Sequence, residues 1–241
     1  MSDPARILVV EDDKNMSKFI CFKLNYMGYE VVGLATNAAD AIQLTKKHQP
    51  DLILMDILLE NNDDGIVTAN KILTFADIPI VYLTAHEDPE LFERARISKP
   101  FGYLIKPFND RDLNLVIETA TYRQKQKIKL ARALEDARNI INSSLMMIIT
   151  VDNDDLITEF NEAAKWELGF AHDEVLGKNI LDLMVDEKYL TEIKTRLQQA
   201  LTFDLELKIK HQSGAEKSCL FSVSRLRDSQ NNSKGFLLIS H

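Results

Sequence analysis

Five polar residues in the first half of the chain have the types and order that phosphoryl chemistry needs. Each follows a short apolar run: Glu11 and Asp12 (with Asp13) after I-L-V-V, Asp56 after D-L-I-L-M, Thr84 after I-V-Y-L, and Lys106, with Pro107 behind it, after Y-L-I. A carboxylate can attack a phosphoryl group and hold it as an acyl phosphate. Attack by one anion on another requires a counter-charge. Mg²⁺ suits that need, because it binds carboxylate and carbonyl oxygens together with water and phosphate; Glu11, Asp12 and Asp56 would offer the acids. A lysine ammonium, here Lys106, neutralises a phosphoryl oxygen as a point charge, and a small hydroxyl such as Thr84 can donate to another. Taken singly, these are loop acids, a cap and a solvated lysine. The joint order, one group at the end of each successive apolar run, carries the chemistry.

Such a convergence requires a parallel sheet whose strand ends share one rim. Residues 6–10, 29–35, 51–56, 79–83 and 102–105 read as strands. Helices are expected over 15–27, 37–48, 65–75 and 89–97, with Met16, Phe19, Ile20, Phe22 and Leu24 giving the first a broad apolar face. Asn37 would cap the second, a polar loop would fill 61–64, and Pro89 would open the fourth. Five strands alternating with helices imply an α/β, doubly wound sheet with right-handed crossovers.

Past Pro107 no proline or glycine occurs until Gly169. From a cap at Asn109, nothing breaks a helix for some thirty residues. Leu113, Val116, Ala120, Arg123, Lys127, Leu130, Leu134, Ala137 and Ile141 alternate spacings of three and four, a heptad seam that would pair two copies. The competing expectation is that 113–120 packs on the sheet and the remainder is a solvated spacer. The last hundred residues read as α+β. A hairpin of strands at 146–151 and 156–160 is followed by helices at 161–168, 173–176, 180–184 and 187–201. Strands at 203–211, 216–226 and 235–240 close the domain. Trp166, Phe170 and Phe160 are expected in its core, and His172 and His211 on its surface rather than as ligands.

Residues 5 to about 120 resemble the receiver domain of two-component response regulators. The resemblance rests on I-L-V-V-E-D-D, P-D-L-I-L-M-D-I, D-G-I, I-P-I-V-Y-L-T-A and G-Y-L-I-K-P-F, in that order and spacing. It implies a flavodoxin-like sheet of order 2-1-3-4-5 and phosphorylation of Asp56 by a partner histidine kinase. It also implies Mg²⁺ held by Glu11, Asp12, Asp56 and the backbone carbonyl of Leu58, with Lys106 on the phosphoryl group. Thr84 and Tyr103 would form the switch pair, and the Lys106–Pro107 bond would be cis. Two stretches depart from the pattern: L-L-E-N-N-D-D-G after Asp56 lacks the proline many receivers carry, and S-K-P-F at 98–101 stands where small residues are usual. Residues 141–241 resemble a PAS domain, on I-T-V-D-N-D-D-L-I-T-E-F-N-E-A-A, G-F-A-H-D-E-V-L-G-K-N-I-L-D-L-M and H-Q-S-G. Its ligand is not legible.

The expected division is a receiver at 1–122, a helical linker at 123–142 and a PAS domain at 143–241. A net charge of −8 over 241 residues, without a large basic excess, argues against direct nucleic-acid binding. No apolar run reaches the ~18 residues of a membrane span, and M-S-D-P-A-R lacks a signal-peptide core, so a cytoplasmic location and no membrane contact are expected. Isolated Cys21 and Cys219 are expected to stay unpaired. The function expected is a phosphoacceptor regulator, not an enzyme with a separate substrate. It would act through a homodimer along 113–141 and the PAS domain, with output by protein contacts. The alternative is the front part of a longer hybrid sensor histidine kinase continuing past His241.

Overall fold

The structure is a computed structural model that describes residues 4–59, 64–85 and 100–241. The expected helix at 89–97 and most of the loop at 61–64 lie outside the described residues. Contact clustering divides the chain into two compact units, Met1–Ala131 and Arg132–His241.

The first unit is a parallel sheet of five strands in the order β2-β1-β3-β4-β5. Its elements are β1 (Arg6–Val10), α1 (Lys14–Tyr26), β2 (Glu30–Ala35), α2 (Ala38–His48), β3 (Leu52–Asp56), α3 (Gly65–Leu73), β4 (Ile80–Ala85) and β5 (Gly102–Lys106). The strands β1 and β3 are continuous apolar runs because both of their faces are covered. Alternate residues feed two cores: Leu8, Val10, Ile53 and Met55 on one side, Ile7, Val9, Leu52 and Leu54 on the other. Asn37 caps α2 by accepting from the Asp40 N–H at 2.9 Å. The broad apolar face expected of α1 is narrower in the structure. Ser17, Ile20 and Leu24 are its buried stripe, whereas Phe19 and Phe22 are 42% and 67% exposed. Phe22 lies two positions past Ile20, a displacement that carries a helical side chain round to the far side.

A long helix, α4 (Asp110–Ser143), leaves the sheet after β5. Asn109 starts it, its Oδ1 accepting from the Asp112 N–H at 2.9 Å. Leu113, Ile117 and Ala120 are fully buried against the sheet, and Gln124 is 7% exposed. Each of the larger two contributes about 1.5–3 kcal/mol by leaving water. The stripe continues through polar contacts: Gln124 Nε2 donates to the Asp77 carbonyl and Lys127 Nζ to the Asp77 carboxylate, both at 2.6 Å. These contacts correct the heptad reading over 113–127. Both patterns use the same three-and-four spacing, and here the sheet, not a second helix, occupies that face. Beyond Lys127, Leu130, Leu134 and Ile140 are each at least 60% exposed.

The second unit is an antiparallel sheet in the order β7-β6-β10-β9-β8. It comprises β6 (Ile148–Val151), β7 (Ile157–Phe160), α5 (Glu162–Leu168), α6 (His172–Val175), a 3₁₀ turn (Ile180–Asp182), α7 (Lys188–Gln199), β8 (Thr202–Lys210), β9 (Glu216–Arg227) and β10 (Ser233–Ser240). The helices cover one face, enclosing Ile149, Phe160, Leu168, Ile193, Phe221 and Leu238. Phe160 is in this core and Phe170 packs on its edge, but Trp166 is 80% exposed, contrary to expectation. Ala164 and Leu168, four apart, take the inward side of α5, and Trp166 lies midway between them on the opposite side. His172 is exposed, while His211 is half-buried with its Nδ1 at 2.8 Å from Ser213 Oγ. Cys21 and Cys219 are both free thiols.

Candidate functional site

Sheet register brings the polar residues to one rim. Val10 pairs with Met55, Asp56 with Leu83, and Ala85 with Lys106. Glu11, Asp56, Thr84 and Lys106 therefore end or follow four neighbouring strands within a residue or so of the same level. One ligand oxygen from each of Glu11, Asp12 and Asp56 lies within 4.8 Å of the others. Lys106 Nζ donates to Asp56 Oδ2 at 2.7 Å and to Glu11 Oε2 at 2.6 Å. The ammonium thus bridges two of the acids.

Three carboxylates facing one ammonium leave an excess of negative charge in a site shielded from water. Glu11 registers it. Burial, with Asp56 adding repulsion against the opposing pull of Lys106, pushes its carboxyl up to about 7. Burial would lower the Lys106 ammonium, but hydrogen bonds to Asp56 and Glu11 outweigh it and its pKa is raised. The donor set is all oxygen, acidic and deficient in positive charge, which fits a hard divalent cation such as Mg²⁺.

The third acid of E-D-D has a different task. Asp13 accepts from the N–H groups of Asn15 and Met16 at 2.7 and 3.0 Å, capping α1, and those bonds hold its carboxyl below the usual range. Its cap places α1 immediately after the acid pair. Gly65 was read only as a helix start, yet a Cβ there would overlap the carbonyl oxygen of Asp56. The D-G pair in the sequence carried that signal, because Asp64 caps α3 through Ile66 and Val67 N–H while Gly65 lets it approach the strand.

Leu58, two residues past Asp56, is 65% exposed, and its N–H donates to Asp56 Oδ1 at 3.3 Å. Thr84 is nearly buried, but its hydroxyl donates to the Ala85 carbonyl at 3.1 Å instead of reaching the acids. The Tyr103 ring lies 6.1 Å from that of Tyr82, with its hydroxyl oxygen buried. The Lys106–Pro107 peptide is cis. Among the described residues no helix is long and apolar enough to cross a membrane.

Comparison with known proteins agrees with this architecture. A family model for the response regulator receiver domain matches residues 7–118, and one for the PAS fold matches 135–241. The transcriptional regulatory protein PdtaR of Mycobacterium tuberculosis is 38% identical over 123 residues, which is 51% of this chain and 60% of PdtaR. The phyllosphere-induced regulator PhyR of Methylorubrum extorquens is 28% identical over 120 residues, 49% of this chain and 44% of PhyR. Each match therefore takes in less than two thirds of the relative's own length. A crystal structure of the receiver domain of a modulated diguanylate cyclase from Desulfovibrio desulfuricans G20 is 34% identical with a TM-score of 0.50, covering 52% of this chain and 99% of that one. With a matching family model, a relative covered almost end to end and the 2-1-3-4-5 sheet, the chain belongs to the response regulator receiver family and carries a PAS domain behind its receiver.

Proposed function

We propose that the receiver takes a phosphoryl group from a histidine kinase onto Asp56 and signals through α4 to the PAS domain, with output by protein contacts. The observation that carries this reading is the bridge of Lys106 between Asp56 and Glu11, at 2.7 and 2.6 Å, beside a three-carboxylate cluster. Glu11, Asp12, Asp56 and the Leu58 carbonyl would hold Mg²⁺, which when bound supplies the positive charge the cluster lacks. A carboxylate oxygen of Asp56 forms the new bond to phosphorus as the bond to the donor's imidazole nitrogen, or to the acetate oxygen of acetyl phosphate, breaks. Lys106 already contacts the nucleophile and turns its charge to an incoming phosphoryl oxygen. Thr84 would exchange its bond to Ala85 for the phosphoryl group, with Tyr103 as its switch partner. Incubation with Mg²⁺ and acetyl phosphate tests the reading: the chain should gain the mass of one phosphoryl group, and an unchanged mass would sink it.

The lifetime of that group is set by water access. The apolar side chain of Leu58 can orient no attacking water, and hydrolysis needs one oriented. Leu58→Asn should speed autodephosphorylation roughly three- to tenfold by supplying a polar group beside Asp56. Equal decay of label from wild type and variant would refute this role for Leu58.

The proposed homodimer uses the linker, 123–142, and the PAS domain. Leu113 and Ala120 are committed to the receiver core and Lys127 to Asp77. The pairing residues are instead the exposed Leu130 and Leu134, four apart on one face of α4. The double variant Leu130→Asp, Leu134→Asp should sediment as a monomer at concentrations where wild type is dimeric. An unchanged sedimentation coefficient would remove α4 from the interface.

A further inference from the structure

We infer that the PAS domain binds a small aliphatic carboxylate on Arg225, in a cavity at one end of its sheet. The cavity, of about 360 Å³, lies between the Asp152–Asp155 turn, α7 and the ends of β9 and β10; Leu197, Phe236, Lys194, Gln198 and Arg225 are among its lining residues. In β9, Cys219, Phe221 and Val223 face the core. The two-residue period of a strand sets Arg225 on that same face. An arginine in core register loses hydration and normally recovers it through a carboxylate or carbonyl partner. Arg225 is half-buried, and among the described residues its guanidinium makes no hydrogen bond or ion pair.

The nearby acids are already committed. Asp155 Oδ2 pairs with Lys194 Nζ at 2.7 Å, and Asp152 Oδ1 accepts from the N–H groups of Asp154 and Leu156, both at 2.9 Å. What remains on offer is a planar fork of donors from β9, with the Gln198 carboxamide on the facing wall. A fork of that kind matches the two oxygens of a carboxylate. Leu197 and Phe236, both core residues, provide an apolar wall for carbon. The volume is at the low end of the roughly 300–1,000 Å³ typical of ligand pockets, which suits a small metabolite rather than a large cofactor. Asp152 and Asp155 in the same wall repel a phosphate dianion more than a single carboxylate. The ligand therefore touches α7, one side of which packs in the PAS core.

The inference specifies a ligand class for the sensory role proposed for the PAS domain. Its test uses the unphosphorylated full chain, so its failure leaves phosphorylation of Asp56 standing, and failure of that phosphorylation leaves it standing in turn. Titration with butyrate should shift the Arg225 Nε–H signal in ¹⁵N-resolved NMR spectra saturably, with inorganic phosphate binding more weakly. Arg225→Gln should weaken butyrate binding roughly ten- to hundredfold, the usual cost of losing a charged hydrogen-bond partner. Arg225→Lys, which keeps the charge and loses the fork, should fall between the two and guards against a folding defect in the first variant. The assignment is overturned by the absence of a saturable shift, by butyrate binding equally to wild type and both variants, or by a preference for phosphate.

Discussion

Asp56→Asn is expected to take up no phosphoryl group from acetyl phosphate and Mg²⁺ where the wild-type chain gains one. The amide oxygen of Asn carries no formal charge and forms no stable acyl phosphate, so the covalent route is lost outright rather than slowed. No neighbour is free to substitute. Glu11 is 1% exposed and held by Lys106 at 2.6 Å, and Asp13 is committed to capping α1. Stability should not fall with activity. One of three crowded carboxylates becomes neutral, and the repulsion that Asp56 exerts on Glu11 goes with it. Intact-mass measurement gives the first result and a thermal melt the second. Uptake persisting in Asp56→Asn would displace the phosphoacceptor to another residue; a variant that melts well below wild type would mean that the Asp56–Lys106 contact holds the rim together.

The receiver was readable because its chemistry is tied to connectivity. In a parallel sheet each strand ends on the same rim, so a polar residue after each apolar run has one place to go, and Glu11, Asp12, Asp56 and Lys106 meet there. Sequence could not separate Asp13 from its two neighbours, because a cap and a ligand both call for a carboxylate after a strand. Nor could spacing tell a helix face that packs on its own sheet from one that pairs with another helix. Three-and-four periodicity is common to both, and the contacts of Gln124 and Lys127 with Asp77 decide the matter in three dimensions. In the PAS domain the strands alternate clearly. Trp166, however, was misplaced by size alone, since its phase on α5 puts it opposite Ala164 and Leu168. Arg225 was illegible for a related reason: a lone arginine in a strand of mixed polarity reveals its facing only when the core residues on either side of it are known.

Asn161→Ala should destabilise the PAS domain more than any other single polar truncation considered for it. Asn161 is fully buried and makes four hydrogen bonds to backbone. Its Oδ1 accepts from the N–H groups of Ile148 at 2.9 Å and Ala164 at 3.0 Å, and its Nδ2 donates to the carbonyls of Ile141 at 3.1 Å and Met146 at 3.0 Å. One side chain therefore caps α5, aligns the start of β6 and holds the last turn of α4. Alanine would leave those groups without their partner, at about 1–3 kcal/mol for each that water cannot reach, and would remove an N-cap that contributes about 0.5–2 kcal/mol. Since water will reach some of them, a loss of roughly 3–5 kcal/mol is expected, a large part of a typical domain's stability. Asn161→Asp separates the two halves of the role. Its carboxylate keeps both acceptor bonds, yet it can donate to neither carbonyl and repels both. The cap on α5 should then survive while the end of α4 loosens. Urea unfolding reads the overall loss, and hydrogen exchange at the Ile148 amide reads the acceptor half, which should stay protected in Asn161→Asp and open in Asn161→Ala. Because α4 runs unbroken from the phosphorylated domain to this residue, Asn161→Asp should also blunt any change in PAS exchange rates on phosphorylation. Wild-type stability in Asn161→Ala, with Ile148 still protected, would show that the four bonds hold nothing that the surrounding apolar core does not already hold.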